Sequence, residues 1–173
     1  MIALRLTEVR QFMSKLLLTD TFDHFLLVDA EIVTFNTFRI DGYIQKDFYK
    51  PDAAGNPIQS ADGTDSCPEY SAWSCLREYC FSIIRGKRTP LRFKFVFRLS
   101  PENIARLIAQ EKLDFRPEDV QGLYLNISFG EDGLTCITGT SMNTFTMDKS
   151  LEKSWDTMVQ KFFSQKEIPF EQE

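Results

Sequence analysis

The sequence is poor in the side chains on which most catalysis and metal binding depend. It has one histidine, His24, in 173 residues. Zinc centres draw on clusters of His and Cys, and a nucleophilic triad needs its His between a nucleophile and an orienting carboxylate. Asp20, Asp23 and Asp29 are near His24 in the chain, but no motif places a serine or cysteine with them. His24 is therefore expected at the surface or at a strand end. The four cysteines, Cys67, Cys75, Cys80 and Cys136, match no zinc spacing. Cys75 and Cys80 are five apart on one predicted helix, which does not preset them as a redox pair, and buried thiols are expected. No glycine loop has a phosphate-cradling spacing. No apolar run approaches the roughly 18 residues of a membrane span, and no long apolar stretch follows Arg5, so no signal peptide is visible. These absences lead to an expectation of reduced thiols in a cytoplasm, with no cofactor, no metal and no membrane partner.

Acidic residues are missing from one stretch. None occurs between Glu78 and Glu102, where Arg85, Lys87, Arg88, Arg92, Lys94 and Arg98 supply six positive charges. The whole chain nevertheless carries −5, divided as 8 basic and 12 acidic groups over residues 1–86 and 12 and 13 over residues 87–173. A net negative charge disfavours a dedicated nucleic-acid binder.

What the chain has in quantity is phenylalanine, 16 residues within a hydrophobic content of 43%. That is enough for one packed core in a single domain spanning residues 1–173. Leu91, Phe93, Phe95, Phe97 and Leu99 alternate with Arg92, Lys94, Val96 and Arg98. Nine alternating residues predict a half-buried strand with a basic outer face. Ser100-Pro101-Glu102 then reads as a helix start, with a Ser cap and Pro at the first helical position.

A strand over Met1–Leu6 precedes a helix capped by Thr7, with Val9, Phe12, Met13, Leu16 and Leu17 on one stripe. Phe25–Val28 reads as a strand, Asp29-Ala30-Glu31 as a turn, Ile32 to about Ile40 as a second strand and Tyr43–Tyr49 as a third. Residues 50–66 hold turn formers and almost no large apolar residue, and are expected to form an exposed flap. Ser66-Cys67-Pro68-Glu69 has the form of a capping box opening a helix that carries Trp73. Beyond the basic strand, a helix from Pro101, a helical turn near Arg116–Asp119, a strand at Leu123–Phe129, a hairpin turn at Gly130–Gly133, one long strand or two from Leu134 to about Met147, and a final helix capped by Asp148 or Ser150 with Leu151, Trp155, Met158, Val159, Phe162 and Phe163 on one stripe are expected. The tail from Glu167 reads as polar and frayed.

The two halves, 1–86 and 87–165, share an order of elements. Leu4-Arg5-Leu6-Thr7 superposes on Phe97-Arg98-Leu99-Ser100, and Asp29-Ala30-Glu31-Ile32 on Glu131-Asp132-Gly133-Leu134 as turns. Ala72-Trp73 and Phe81-Ser82 match Ser154-Trp155 and Phe163-Ser164 at equal spacing. The expected fold is α+β, with tandem duplicated strand-helix-strand-strand-helix units forming one mostly antiparallel sheet with helices on one face. This order resembles TATA-binding-protein-like folds, and less closely the repeats of a DNA sliding-clamp subunit. No nucleic-acid-contacting motif of either family is matched residue by residue, so the resemblance assigns no site. The sequence as a whole also resembles an uncharacterised bacterial protein family without assigned activity.

The candidate ligand-binding residues are Arg5, Arg92, Lys94 and Arg98 on the outer face of the sheet, with Tyr124 and Asn126 (and Ser128) on the corresponding face of another strand. Charges about 7 Å apart along a strand suit phosphates or an acidic protein partner; a solvated face balanced by carboxylates is the competing reading. The expected function is a non-catalytic binding module using this face or the flap for a protein or small ligand. Nucleic-acid binding through the basic strand is the alternative. So is an enzyme with a pocket near the flap, drawing on Asp47, Tyr49, Lys50, Asp62, Asp65 and Glu69.

Overall fold

The computed structural model describes residues 1–49, 68–86 and 88–173. The expected flap, residues 50–66, lies outside them, as do Cys67 and Lys87. In chain order the elements are β1 (Ala3–Leu6), α1 (Val9–Leu18), β2 (Phe25–Val33), β3 (Thr37–Asp41), α2 (Trp73–Ile84), β4 (Arg92–Leu99), α3 (Pro101–Gln110), β5 (Val120–Gly130), β6 (Gly133–Met142), α4 (Ser150–Gln165) and β7 (Phe170–Gln172), with short 3-10 turns at Lys46–Tyr49 and Pro117–Asp119. The fold is α+β. Among the described residues seven strands form one sheet in the order β3-β2-β4-β5-β6-β1-β7, and every pairing in it is antiparallel.

Alternation decides which face is covered. Phe93, Phe95, Phe97 and Leu99 of β4 are buried, as are Leu123, Leu125 and Ile127 of β5. The helices pack on this inner face through aromatic rings. Trp73 of α2 meets Phe95 and Phe97 edge-on, and Phe162 of α4 meets Phe22 and Phe25. Phe12 of α1 packs edge-on against Phe22. Trp73 and Trp155 are fully buried, and each indole N–H finds a carbonyl: Trp73 donates to Leu16 at 2.9 Å and Trp155 to Tyr124 at 3.2 Å. A buried indole without such an acceptor would lose its bond to water uncompensated. Helix α3 starts as its sequence predicts, with the Ser100 hydroxyl accepting from the Asn103 N–H and Pro at the first turn.

Several local expectations are corrected. Asp29-Ala30-Glu31 is no turn: β2 runs through it from Phe25 to Val33, with a bulge between Leu27 and Asp29. Three polar or small residues read as a turn, but Ala30 is buried while Asp29 and Glu31 face outward, as alternation allows. The reversal falls at residues 34–36, so the second strand begins at Thr37 and not at Ile32. Tyr43 makes only an isolated bridge to Tyr70, and Lys46–Tyr49 is a 3-10 turn, so the predicted third strand is absent there. Leu91 precedes β4 and is 73% exposed, not part of the buried row. Thr7 does not cap α1, which is preceded by Glu8 with no side-chain cap. The predicted cap Ser66 lies outside the described residues, and α2 starts later than the capping box implies, after Ala72 and again with no side-chain cap. Residues 70–72 are instead held as an extended strip, with Leu27 N–H donating to Ser71 O and Ser71 N–H to Gly42 O, both at 2.9 Å. A side chain at residue 42 would collide with the Leu27 carbonyl, so this close approach needs Gly42. The tail is not frayed: Phe170–Gln172 forms β7 against β1, and Ile168 is buried.

The duplication is not reproduced in the pairing. Exchange of the halves would turn the β2–β4 pair into a β5–β1 pair, yet β1 pairs with β6. The superposed blocks at residues 29–32 and 131–134 also differ, one being mid-strand and the other a hairpin end.

Candidate functional site

Among the described residues, no helix covers the outer face of the sheet. The register sets its side chains in cross-strand rows. One row reads Arg5, Thr135, Ser128, Lys94, Glu31, Arg39 across β1, β6, β5, β4, β2 and β3. The next reads Ala3, Ile137, Asn126, Val96, Asp29, Asp41 over the same strands. A third contains Gly139, Tyr124 and Arg98. The sequence-predicted residues therefore do share one face. Lys94 stands opposite Ser128, and Arg98 opposite Tyr124. Arg5 is three strand spacings from Lys94, about 14 Å at roughly 4.8 Å per strand.

On this face β5 presents Tyr124, Asn126 and Ser128, and β6 presents Thr135, Ile137 and Gly139, none of them charged. The Ser128 and Thr135 hydroxyls are 3.0 Å apart. This uncharged band is flanked by Arg5 of β1 on one side and by the charged side chains of β4, β2 and β3 on the other. Ile137 is 39% exposed within it.

The cations are not equivalent. Arg98 is a fastener: its guanidinium donates to Glu69 Oε2 and to the Gln121 carbonyl, both at 2.6 Å, and lies 5.7 Å from the centre of the Tyr70 ring. Its side chain is only 13% exposed, and its Nε is buried without a partner among the described residues. Tyr43 packs edge-on against Tyr70. Burial, followed by the Glu69 charge, raises the Tyr70 phenol above its ordinary value. Glu69, read from sequence as the acidic partner of the Ser66 cap, thus ties the strip 68–72 to the sheet. Arg92 is 4.0 Å from Glu31, and Arg39 donates to Asp29 at 3.0 Å. Arg5 donates to the Asp132 carbonyl at 2.8 Å. Lys94 points outward, between Ser128 and Glu31 in its row. The basic stripe is thus interleaved with carboxylates of β2 and β3, which the alternation of β4 could not disclose.

The other candidate chemistry is dispersed. His24 is exposed, on the rim of a cavity of about 330 Å³ with Asn103 and Arg106. Cys75 is exposed, whereas Cys80 and Cys136 are buried; burial pushes the Cys80 thiol up to about 12 and the Cys136 thiol higher still. Among the described residues no group of His, Cys, Asp and Glu could hold a metal ion. Lys50, Asp62 and Asp65 of the flap pocket lie outside the described residues. No described helix is long and apolar enough to cross a membrane.

The architecture defines an α+β protein with one covered and one open sheet face. The chain belongs to DUF5721, a family of unknown function, whose family model matches residues 15–171. No curated protein and no solved structure matches it.

Proposed function

We propose that the protein is a non-catalytic binding module that docks a protein partner on the open sheet face. The observation carrying this reading is the uncovered, uncharged band of β5 and β6 side chains, flanked by charges of both signs. Arg5, Arg92 and Lys94 suit acidic groups of a partner, while Asp29, Glu31 and Asp41 suit basic ones. Such alternation gives orientation to a protein contact, whereas the polyanionic backbone of a nucleic acid would meet the carboxylates with repulsion. The likeness to TATA-binding-protein-like folds rests on two repeats that the strand pairing does not reproduce, so it adds nothing to this reading. Free thiols at Cys75, Cys80 and Cys136 support placing the protein in a reducing cytoplasm.

The test is site-specific photocrosslinking in cells. A crosslinker at Ser128 or Ile137 is expected to trap a discrete protein, and the same group at exposed Lys153 of α4 is not. Equal yields from both faces would remove the proposal. A parallel low-salt titration with single-stranded and duplex nucleic acid addresses the alternative. Binding that weakens with salt and disappears in R92E/K94E would establish the basic strand as the site instead.

A further inference from the structure

A second feature lies away from the open face, where α1 begins, α2 ends and β4 enters the sheet. Two adjoining cavities, of about 460 and 620 Å³, share Ile84, Gly86, Arg88 and Thr89 as lining. Each volume falls within the range of sites for small organic ligands. The floor is apolar, with Phe93 stacked on Phe129 at 5.2 Å between ring centres and Val9 and Met13 of α1 beside them. At the mouth stand two large apolar side chains left in water, Leu91 at 73% and Phe35 at 84% exposure.

The charged groups of this groove are of one sign. Arg10, Arg85 and Arg88 all line it, and among the described residues no acidic side chain does. All three arginines are exposed, and none forms an ion pair among the described residues. This separates them from the cations of the sheet face, where Arg92 and Arg39 have carboxylates at hand. The absence of acidic residues between Glu78 and Glu102 is what leaves Arg85 and Arg88 uncompensated here, and the fold adds Arg10 from α1.

We infer that this groove binds an anionic amphiphile, a single apolar chain ending in a carboxylate or phosphate. The chain lies over Phe93, Phe129 and Ile84, and the head is held by the guanidinium groups of Arg10, Arg85 and Arg88, which can bind either oxyanion in a bidentate manner. The site is independent of the partner surface proposed above.

Isothermal titration of the full chain with dodecanoate and with dodecyl phosphate, both below micelle formation, tests this. The expected result is saturable binding of one equivalent. Decanoate should bind about fifteenfold more weakly than dodecanoate, since each methylene buried is worth about fourfold. R10E/R88E should weaken the anions at least tenfold with the melting temperature unchanged, because both residues are exposed. Dodecanol and dodecyltrimethylammonium should bind more weakly than the anions. A second variant, I84W, fills the space both cavities share and should abolish binding of the chain. Equal binding of dodecanol and dodecanoate, an unchanged affinity in R10E/R88E, or no saturable binding up to about 1 mM would each overturn the inference. If only one of the two anions binds, that result identifies the head group.

Discussion

Replacing Trp155 by alanine tests whether the helical layer is anchored as the structure describes. Trp155 is fully buried between α4 and the sheet, and its indole N–H donates to the Tyr124 carbonyl at 3.2 Å. A tryptophan buries on the order of 150–250 Å², which at about 25 cal/mol per Å² corresponds to about 4–6 kcal/mol. Alanine keeps part of that burial, while the vacated space and the deserted carbonyl add cost. The expected loss is about 3–5 kcal/mol. With a urea m-value of about 2 kcal/mol/M, the unfolding midpoint should fall by roughly 1.5–2.5 M, followed by circular dichroism at 222 nm. W155F keeps an aromatic ring but no donor and should fall between the two. Tyr79 is 65% exposed on α2, so Y79A should lie within about 0.5 kcal/mol of the parent. A W155A midpoint indistinguishable from that of Y79A would refute the reasoning and would place the indole at the surface.

Three further outcomes are expected. Under native conditions Cys75 should alkylate well before Cys80 and Cys136, because it is exposed while burial holds the other two thiols protonated; peptide mass mapping reads the order, and prior modification of Cys80 would refute it. G42A should lose about 1–3 kcal/mol in chemical denaturation, since the added methyl meets the Leu27 carbonyl, and an unchanged midpoint would show that the strip 70–72 can move away. Asp148 accepts from the Ser150 N–H at 2.8 Å, a bond to the charged form that holds its carboxyl below the usual 3.8. A depressed folded value means stabilisation that is present above pH 3.8 and lost as pH falls through the lower folded value, so carboxyl-carbon NMR should give a midpoint below 3.8, and one at or above it would contradict the Ser150–Asp148 hydrogen bond.

The fold was legible wherever a period ran long. Nine alternating residues made β4 plain, and the Leu123–Phe129 alternation did the same for β5. The 3.6-residue stripe of Leu151, Trp155, Met158, Val159, Phe162 and Phe163 marked α4; four of the six are buried, and Met158 and Phe162 pack partly buried against the core. Short polar insertions misled where tertiary pairing outweighed local preference. Asp29 and Glu31 look like turn residues in isolation, but both pair across to β3 and β4, and a strand tolerates polar residues on a solvent face. Glu69 has the spacing of a capping box, yet Arg98 lies opposite it in space and a charge-assisted bond to a guanidinium is the stronger interaction. The tail reads as polar because only Ile168 and Phe170 are large and apolar there; the free edge of β1 supplies the hydrogen bonds that order it.

For the site, alternation assigned the right face but could not assign freedom. Arg92, Lys94 and Arg98 do project from one side of β4, as a period of two requires. Whether each is available to a ligand depends on neighbours that come from distant parts of the chain. Arg98 is taken by Glu69, 29 residues away, and Arg92 has Glu31 beside it, a residue that the sequence placed in a turn. Arg10, Arg85 and Arg88 carried no periodic signal at all, since they belong to a helix start and a connection. Their grouping follows from α2 ending next to the start of α1, and among the described residues no acidic side chain lines the groove they share. A charge excess along the sequence becomes a charge excess in space only where the fold brings in no opposite charge. That condition fails along most of β4 and, among the described residues, holds at its entrance.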